Sequence, residues 1–508
     1  MTPPVVVLKT QAAVIGGGVA GCLAALRLAE RGVATLVIEK AHINRSGCLA
    51  AGVNALNAYV GRGRRPADYV DYAWADAHGL ARRDLLLTMA ERLNRQADFL
   101  ASLGLKFLVD EQGRRLERGW RNVQVAGGDL KPLLAAAVEA QQGVTVLNRT
   151  LAVELLVADD RAVGLAALDL ENDRLLLVEA QAIVCATGGA AGLYRPSNPG
   201  GARGQSWYCP FNAGGGLAMG ALAGAEMTTL EMRFVALRCR DTLAPTGSLA
   251  LGAGAAQVNA LGRGYEDQGA RTTSGRVLAF RRETQAGRGP CRLEARVEPS
   301  VREEILRAYL HMSPAQTLKW LEEELPAPAQ PPARRQTGEP GRRPQAPPAA
   351  GLISAELESS EPYVQGGHVA GGYWVDTRRR TTLAGLWAAG DVAGGAPQKY
   401  VTGAMAEAEL AAEAAAEDIL GGRPVGRTVE IAQAAQASLA AQKAFAPEAE
   451  KLAGFLARRP GQLTAGQLEE ALQKTMDVYA GGLTAGYRYS RAELAVADER
   501  LAILADLS

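Results

Sequence analysis

The sequence predicts an α/β fold built around a Rossmann-like core, and three observations carry the prediction. From Gln11 the chain reads QAAVIGGGVAGCLAALRLAERGVATLVIEK: a short apolar strand, a glycine turn, an Ala/Leu-rich helix, and a second apolar strand ending at Glu39. Val144 to Val184 reads as several β segments divided by turn signals at Asp159-Asp160 and Glu171-Asn172-Asp173. Thr428 to Leu507 is almost wholly amphipathic helix, broken near Tyr479-Ala480-Gly481-Gly482. The first segment is a βαβ unit, the second suits a return of the chain to the same domain, and the third suits a terminal helical domain.

Composition narrows the function classes. The 508 residues suffice for about two to four domains of roughly 150 residues each. Lys plus Arg number 55 against 54 Asp plus Glu, so no overall charge recommends nucleic acid or an anionic membrane as partner. The six cysteines (Cys22, Cys48, Cys185, Cys209, Cys239, Cys291) form no C-x-x-C pair, which disfavours a disulfide framework or an iron–sulfur cluster held by this chain. The start, MTPPVVVLKTQ, does not read as a signal peptide, and no apolar run reaches the roughly 18 residues that would span a bilayer, so a cytoplasmic location is expected.

Between the β-rich part and the terminal helices the composition changes twice. Residues from Pro66 to Leu105 are helical by pattern; after Pro196 the chain is rich in glycine and arginine through Arg282; Leu325 to Ala350 is a Pro/Arg/Ala tract suited to a surface insertion. Apolar pattern resumes from Gly366 to Gly390. The expected division is therefore a nucleotide-binding domain in two parts, 1–206 and 353–425, an inserted capping and substrate domain, 207–352, carrying the Pro-rich tract 325–350, and a helical domain, 426–508.

The chemistry begins at Gly16-Gly17-Gly18-Val19-Ala20-Gly21, which fits G-x-G-x-x-G at a strand-to-helix turn. There Gly16 makes the turn, Gly18 admits a pyrophosphate, and Gly21 lets helix and strand approach. Glu39 lies 18 residues after Gly21, where a carboxylate accepts from ribose hydroxyls, with Lys40 beside it. That set marks a dinucleotide without separating FAD from NAD. Ala186-Thr187-Gly188-Gly189 and Ala388-Ala389-Gly390-Asp391 each end an apolar strand, and either alone would be an ordinary glycine exit. Together, in this order, they resemble the later nucleotide-contact segments of two-dinucleotide-domain flavoproteins, with Asp391 toward the flavin ribityl or pyrophosphate.

Asn44-Arg45-Ser46-Gly47, followed by Ala51-Gly52-Val53-Asn54-Ala55-Leu56-Asn57, resembles the flavoprotein subunits of fumarate reductase, succinate dehydrogenase, L-aspartate oxidase and dissimilatory adenylylsulfate reductase. The likeness to the adenylylsulfate reductase alpha-subunit family covers most of the chain: RSGCLAAGVNALNAYVG, SWYCPFNAGGGLAMGALAGAEMTTLEMRFVALRCRD, GRGP at Gly287, SEPYVQGGH at Ser360 and TMDVYAGG at Thr475. It implies an FAD-binding domain with an inserted α+β capping domain and a C-terminal helical domain. Fumarate and succinate members often place a flavin-linked histidine where Gly47 stands, so the resemblance implies noncovalent FAD.

Residue by residue, the resemblance implies FAD contacts at Gly16, Gly18, Gly21, Glu39, Lys40, Arg45, Ser46, Gly47, Ala51, Gly52, Thr187, Gly188, Gly189, Gly390, Asp391 and Thr402. It implies substrate contacts at Asn57 and Trp207, and at Leu251, beside Ala250 where the family's nucleotide-wrapping aromatic falls. Arg238 matches an arginine that holds the sulfate or sulfite part, His368 an active-site histidine, and Arg276 the proton-donating arginine of the fumarate branch. Fixed Arg and His donors beside the flavin suit the reaction, because negative charge builds on substrate oxygens there. No metal site is expected. The implied activity is electron exchange between FAD and a small anionic substrate through a partner iron–sulfur subunit, with adenylylsulfate the first substrate; a fumarate, succinate or aspartate reaction and a non-catalytic electron-relay subunit are the alternatives.

Overall fold

In a computed structural model of the chain, residues 5–50, 52–61, 63–117, 119–190, 212–235, 237–239, 256–266, 273–297, 351–359 and 367–422 are described. The expected Pro-rich insertion and the C-terminal helical domain lie outside them. The chain divides into two compact units, the first being Met1–Leu193, Tyr208–Arg233 and Tyr363–Ser508, the second Tyr194–Trp207 and Phe234–Pro362.

In the first unit β1 (Val5–Ile15) leads into α1 (Val19–Ala29) and β2 (Thr35–Ile38). There follow β3 (Ala55–Asn57), α2 (Pro66–Asp76), α3 (Arg83–Ser102), β4 (Lys106–Phe107), β5 (Asn122–Ala126) and α4 (Leu130–Ala140). The stretch expected to be helical from Pro66 to Leu105 is thus two helices. Pro66 opens the first, where its missing N–H costs no bond, and left-handed residues His78 and Gly79 (φ 51° and 81°) follow its end. In α3 the buried positions Leu85, Leu86, Met89, Ala90, Leu93, Gln96, Ala97 and Leu100 recur at three and four residues, one apolar stripe facing the core.

The β-rich segment is β6 (Val144–Leu147), β7 (Thr150–Ala158), β8 (Arg161–Asp169) and β9 (Arg174–Cys185). Asp159 and Asp160 both take positive φ, 48° and 56°, giving the two-residue turn whose twist suits an antiparallel hairpin between β7 and β8. After α5 (Gly215–Leu222) and β10 (Met227–Thr228), the second unit contributes β11 (Leu237–Cys239), β12 (Ala256–Val258), α6 (Thr273–Gln285), β13 (Arg292–Val297) and β14 (Gly351–Ser359). These strands form an antiparallel sheet in the order β11-β14-β13-β12. The first unit closes with β15 (Gly372–Tyr373), β16 (Leu386–Ala388) and α7 (Tyr400–Leu420).

The central sheet runs β6-β2-β1-β9-β8-β7, with β16 also on β9. Strands β6, β2, β1, β9 and β16 are parallel, so their carboxyl ends share one edge, as in doubly wound folds. Helices α1 and α7 cover a face of it at close range because both are alanine-rich. In α7 every residue from Val401 to Ala412 is buried. Glu409 of α7, 6% exposed, is held by Arg95 and Gln96 of α3 and faces Arg27 of α1 at 3.3 Å, so one carboxylate ties three helices. Among the described residues no helix is long and apolar enough to cross a membrane.

Candidate FAD and active site

The register of the parallel strands builds the site. Ile15 pairs with Cys185, and Cys185 with Ala388, so the three glycine turns that follow β1, β9 and β16 emerge at one level of one edge. The Gly16–Gly21 turn is held by Gly16 donating to Ile38 O at 2.8 Å. A β-carbon on Gly21 would lie 1.8 Å from Gly16 O, so only glycine lets α1 start against the strand end. Gly18 is the N-cap of α1, with no side-chain cap and no acidic residue in the first turn, and the space beyond its α-carbon is open. Uncapped amides of a helix start, a positive dipole end and open space fit a pyrophosphate.

Around this turn, Glu39 is 5% exposed at the end of β2; its Oε2 accepts from Gly17 N at 2.6 Å and its Oε1 from Ala41 N at 2.7 Å. Each oxygen keeps a second lone pair, so the carboxylate both braces the turn and remains an acceptor for a ribose. The opposite side of the Gly17 peptide is held by Ser46 Oγ at 3.0 Å and by Lys131 Nζ at 2.6 Å, both donating to Gly17 O. Lys131 is fully buried. The Asn44–Gly47 segment therefore docks on the glycine turn, with Gly47 against Gly18. Arg45 donates to Ala50 O and Gly128 O at 3.2 and 3.1 Å, Gly52 N to Leu49 O at 2.9 Å, and Lys40 is exposed.

Thr187, Gly188 and Gly189 leave β9 at the same edge, the Thr187 hydroxyl 3.5 Å from Cys185 Sγ. The third turn rests on a buried ion cluster. Gly390 N donates to Glu407 Oε2 at 3.0 Å, and Lys399 Nζ donates to Gly390 O at 2.8 Å and to Ala393 O. Glu407 also faces Lys399 at 3.1 Å and Arg379 at 3.2 Å, and all three side chains are 0% exposed. Arg379 donates further to Thr88 Oγ1, Thr377 O and Leu85 O. Burial pulls the Lys399 and Arg379 pKa values down, and the Glu407 charge works against that fall.

Beside this turn Asp391 and Tyr400 border the loop that carries His368: a β-carbon on Gly367 would lie 3.9 Å from both Asp391 oxygens and 3.7 Å from the Tyr400 ring. Tyr400 Oη and His368 Nδ1 are 3.3 Å apart, their rings edge to face with centroids at 5.1 Å. Gln398 and Tyr400 both take left-handed φ, 62° and 48°, a conformation non-glycine residues keep only where packing imposes it. Here Tyr69 Oη donates to Gln398 O at 2.7 Å and Gln398 Nε2 donates to Asp76.

Burial lowers the His368 pKa to about 3, so the imidazole is neutral at pH 7. An unfolded histidine titrates near 6.5, so below that pH the unfolded state takes up a proton that the folded state does not. Stability is expected to fall as pH drops from 6.5 toward 3, and His368→Gln is expected to flatten that dependence. Thermal unfolding of the two proteins from pH 7 to pH 5 checks it; parallel curves would remove the claim.

Other candidate residues stand elsewhere or are otherwise engaged. Asn57, 3% exposed, donates through Nδ2 to Tyr69 Oη at 3.0 Å and Lys399 O at 2.9 Å, while its Oδ1 accepts from Thr402 Oγ1 at 2.6 Å. The side chains of Asn57 and the fully buried Thr402 join β3 to the start of α7. Arg276, expected as proton donor, lies on α6 of the second unit and pairs with Glu266 at 3.2 Å. Arg238 sits on β11 opposite Glu358 in the same unit; its side chain, with Ala51, Trp207 and Leu251, lies outside the described residues. Sequence reasoning missed Lys131, Arg379, Lys399, Tyr400 and Glu407. For Lys131 and Glu407 the signal is a charge inside an apolar run, as in DLKPLL and AMAEAELAA.

The model of a family described as FAD binding domain matches residues 11–404. The chain belongs to that family. It is 28% identical over 463 residues to the alpha subunit of adenylylsulfate reductase of Megalodesulfovibrio gigas, across 78% of this chain and 68% of that one. It is 28% identical over 233 residues to an L-aspartate oxidase of Streptomyces coelicolor, across 43% of this chain and 38% of the oxidase. Its structure superposes on adenylylsulfate reductase of Archaeoglobus fulgidus with a TM-score of 0.75 at 28% identity, covering 99% of this chain and 84% of the other.

This family member is an FAD-dependent oxidoreductase. The residues fit the cofactor: Gly16–Gly21 and the α1 amides would hold the pyrophosphate, Glu39 a ribose, and the Gly390–Asp391 turn the far side. Bound FAD supplies a carrier of two electrons. The chain's own groups fix two of the turns from beneath, Lys131 at Gly17 and Lys399 with Glu407 at Gly390, and neutral His368 and Tyr400 stand beside Asp391.

Proposed function

We propose that the chain is the flavoprotein subunit of an adenylylsulfate-reductase-type enzyme. It exchanges two electrons between noncovalently held FAD and a small anionic substrate, adenylylsulfate first, with an iron–sulfur subunit as electron partner and the cytoplasm as its place of work. The observation that carries the reading is collinearity: the adenylylsulfate reductase match runs through 78% of this chain, where the aspartate oxidase match runs through 43%. That relative is itself an alpha subunit, which supports a partner chain.

Gly47 supports the noncovalent mode. It holds φ +81°, and a β-carbon there would lie 3.2 Å from Gly18 Cα. A histidine at this position would be strained and pressed on the glycine turn. In the reading proposed here His368, held neutral beside Tyr400, is a hydrogen-bond donor to the anionic part of the substrate, and Arg238 is the arginine that the resemblance assigns to the sulfate or sulfite part.

The experiment is a dye-linked assay of sulfite-plus-AMP oxidation and of fumarate reduction on purified protein, with flavin analysis. All FAD is expected in the supernatant after acid precipitation, with turnover on sulfite plus AMP alone. Arg238→Ala is expected to lower that turnover at least about a hundredfold while FAD content stays near one per chain. Flavin left on the precipitate would overturn the noncovalent mode, and turnover only with fumarate would move the substrate to a dicarboxylate.

A further inference from the structure

Near the His368–Tyr400 pair, linked to it through the Gln398 carbonyl, lies a run of aromatic rings that ends on a cation. Tyr69, bound to Gln398 O, meets Tyr72 edge-on with centroids 6.5 Å apart, and Tyr72 meets Trp120 at 6.1 Å and 90°. The Arg121 guanidinium lies 3.6 Å over the Tyr72 ring and 5.9 Å from that of Trp120, whose ring also carries Arg64 at 4.7 Å. Backbone pairing fixes the spot: Asn57 of β3 pairs with Asn122 of β5, and Arg121 O accepts from Ala58 N at 2.8 Å. Arg121 therefore stands one ladder step from Asn57, whose side chain is bonded to Lys399 and Thr402 on either side of Tyr400.

Arg121 differs in state from the arginines that are paired with acids. Arg379 has Glu407, Arg92 has Glu413, and Arg174 has Asp169. Arg121 meets ring faces and, among the described residues, no carboxylate or carbonyl within ion-pair or hydrogen-bond reach. A guanidinium stacked on a ring keeps its five N–H donors in its own plane, directed outward from the stack. It is half-buried, so a charge there is screened less than on open surface. Burial raises the Tyr69 and Tyr400 phenols, and the Arg121 charge acts against the rise at both, which places the cation in the same electrostatic neighbourhood as His368's partner. The buried acid of that neighbourhood, Asp76, accepts from the Gln398 amide.

We propose that Arg121, stacked on Tyr72 and flanked by Trp120, is the anion-binding residue of a subsite beside the His368–Tyr400 pair, and that it takes the sulfo or phosphoryl oxyanion of the substrate. Placing the subsite on the substrate side rests on the function proposed above. The fork of donors matches a tetrahedral oxyanion with two parallel charge-assisted bonds, and the two rings hold the fork rigid before the anion arrives.

Calorimetric titration of the FAD-loaded protein with sodium sulfate at low ionic strength tests this without turnover. Wild type is expected to bind sulfate. Arg121→Met, which keeps the stem, is expected to weaken binding about ten- to a hundredfold, and Arg121→Lys to recover only part of it. FAD content and reduction by dithionite are expected to stay as in wild type. Arg83→Met removes an exposed arginine on another ring, that of Trp74, and is expected to leave sulfate affinity unchanged. Should the Met variant lose FAD, the Lys variant carries the comparison. No sulfate binding by wild type, or Arg121 variants within twofold of it, overturns the proposal. An enzyme inactive on sulfite plus AMP that still loses sulfate binding with Arg121 would overturn the proposed function and leave the subsite standing.

Discussion

Glu407→Ala is expected to destabilise the protein by about 3–5 kcal/mol, the cost of removing one partner from a buried ion pair. The substitution would leave Arg379 and Lys399, both 0% exposed, facing each other without the carboxylate that lies 3.2 and 3.1 Å from them. It would also take away the acceptor of Gly390 N–H, bonded at 3.0 Å. The third glycine turn would then lose its support together with the charge balance, so FAD should be released at lower temperature. Thermal unfolding followed by flavin fluorescence measures both. Lys399→Met should cost less, because Glu407 keeps Arg379 as its partner, although two bonds to the carbonyls of Gly390 and Ala393 are lost. An unchanged unfolding midpoint for Glu407→Ala would show that the cluster does not hold the turn.

Gly21→Ala is expected to abolish FAD binding, leaving under about one-tenth of wild-type flavin per chain. Its β-carbon would meet Gly16 O at 1.8 Å and Gly16 C at 2.9 Å, both backbone, so α1 must back away from the end of β1. The amides that would face a pyrophosphate move with the helix. Gly18→Ala makes the contrasting case: its β-carbon meets nothing within 4 Å, so the protein should fold normally and lose affinity only for the cofactor whose phosphates would occupy that space. Flavin content beside the unfolding midpoint of the FAD-free proteins separates the two. Equal flavin in Gly21→Ala and wild type would contradict the close approach.

The cofactor turns were legible because each is a local pattern. Strand, glycine turn, helix and acid from Gln11 to Glu39 need no distant partner to be read, and the Asp159-Asp160 turn announces its own positive φ. Helix α7 was not legible in the same way. A helix buried from Val401 to Ala412 without a break has no apolar stripe, so the period that reveals an amphipathic helix is absent. Asn57 and Thr402 illustrate the same limit from the other side. Their types suit a ligand, but they are 345 residues apart in sequence and 2.6 Å apart in the fold, where they take each other as partners.

The amino-acid sequence by itself determined the βαβ unit, its glycine turn and the glycine exits of the other two strands, since hydrophobic period and glycine position are set within a few residues. Only the tertiary structure decided which charges hold those turns and which remain available to a ligand. Lys131 under Gly17, Glu407 between Arg379 and Lys399, and Arg121 laid on Tyr72 are each defined by a neighbour distant in the chain. Burial then converts that neighbour into the difference between a locked charge and an available one, because a charge taken out of water is governed by its nearest partner.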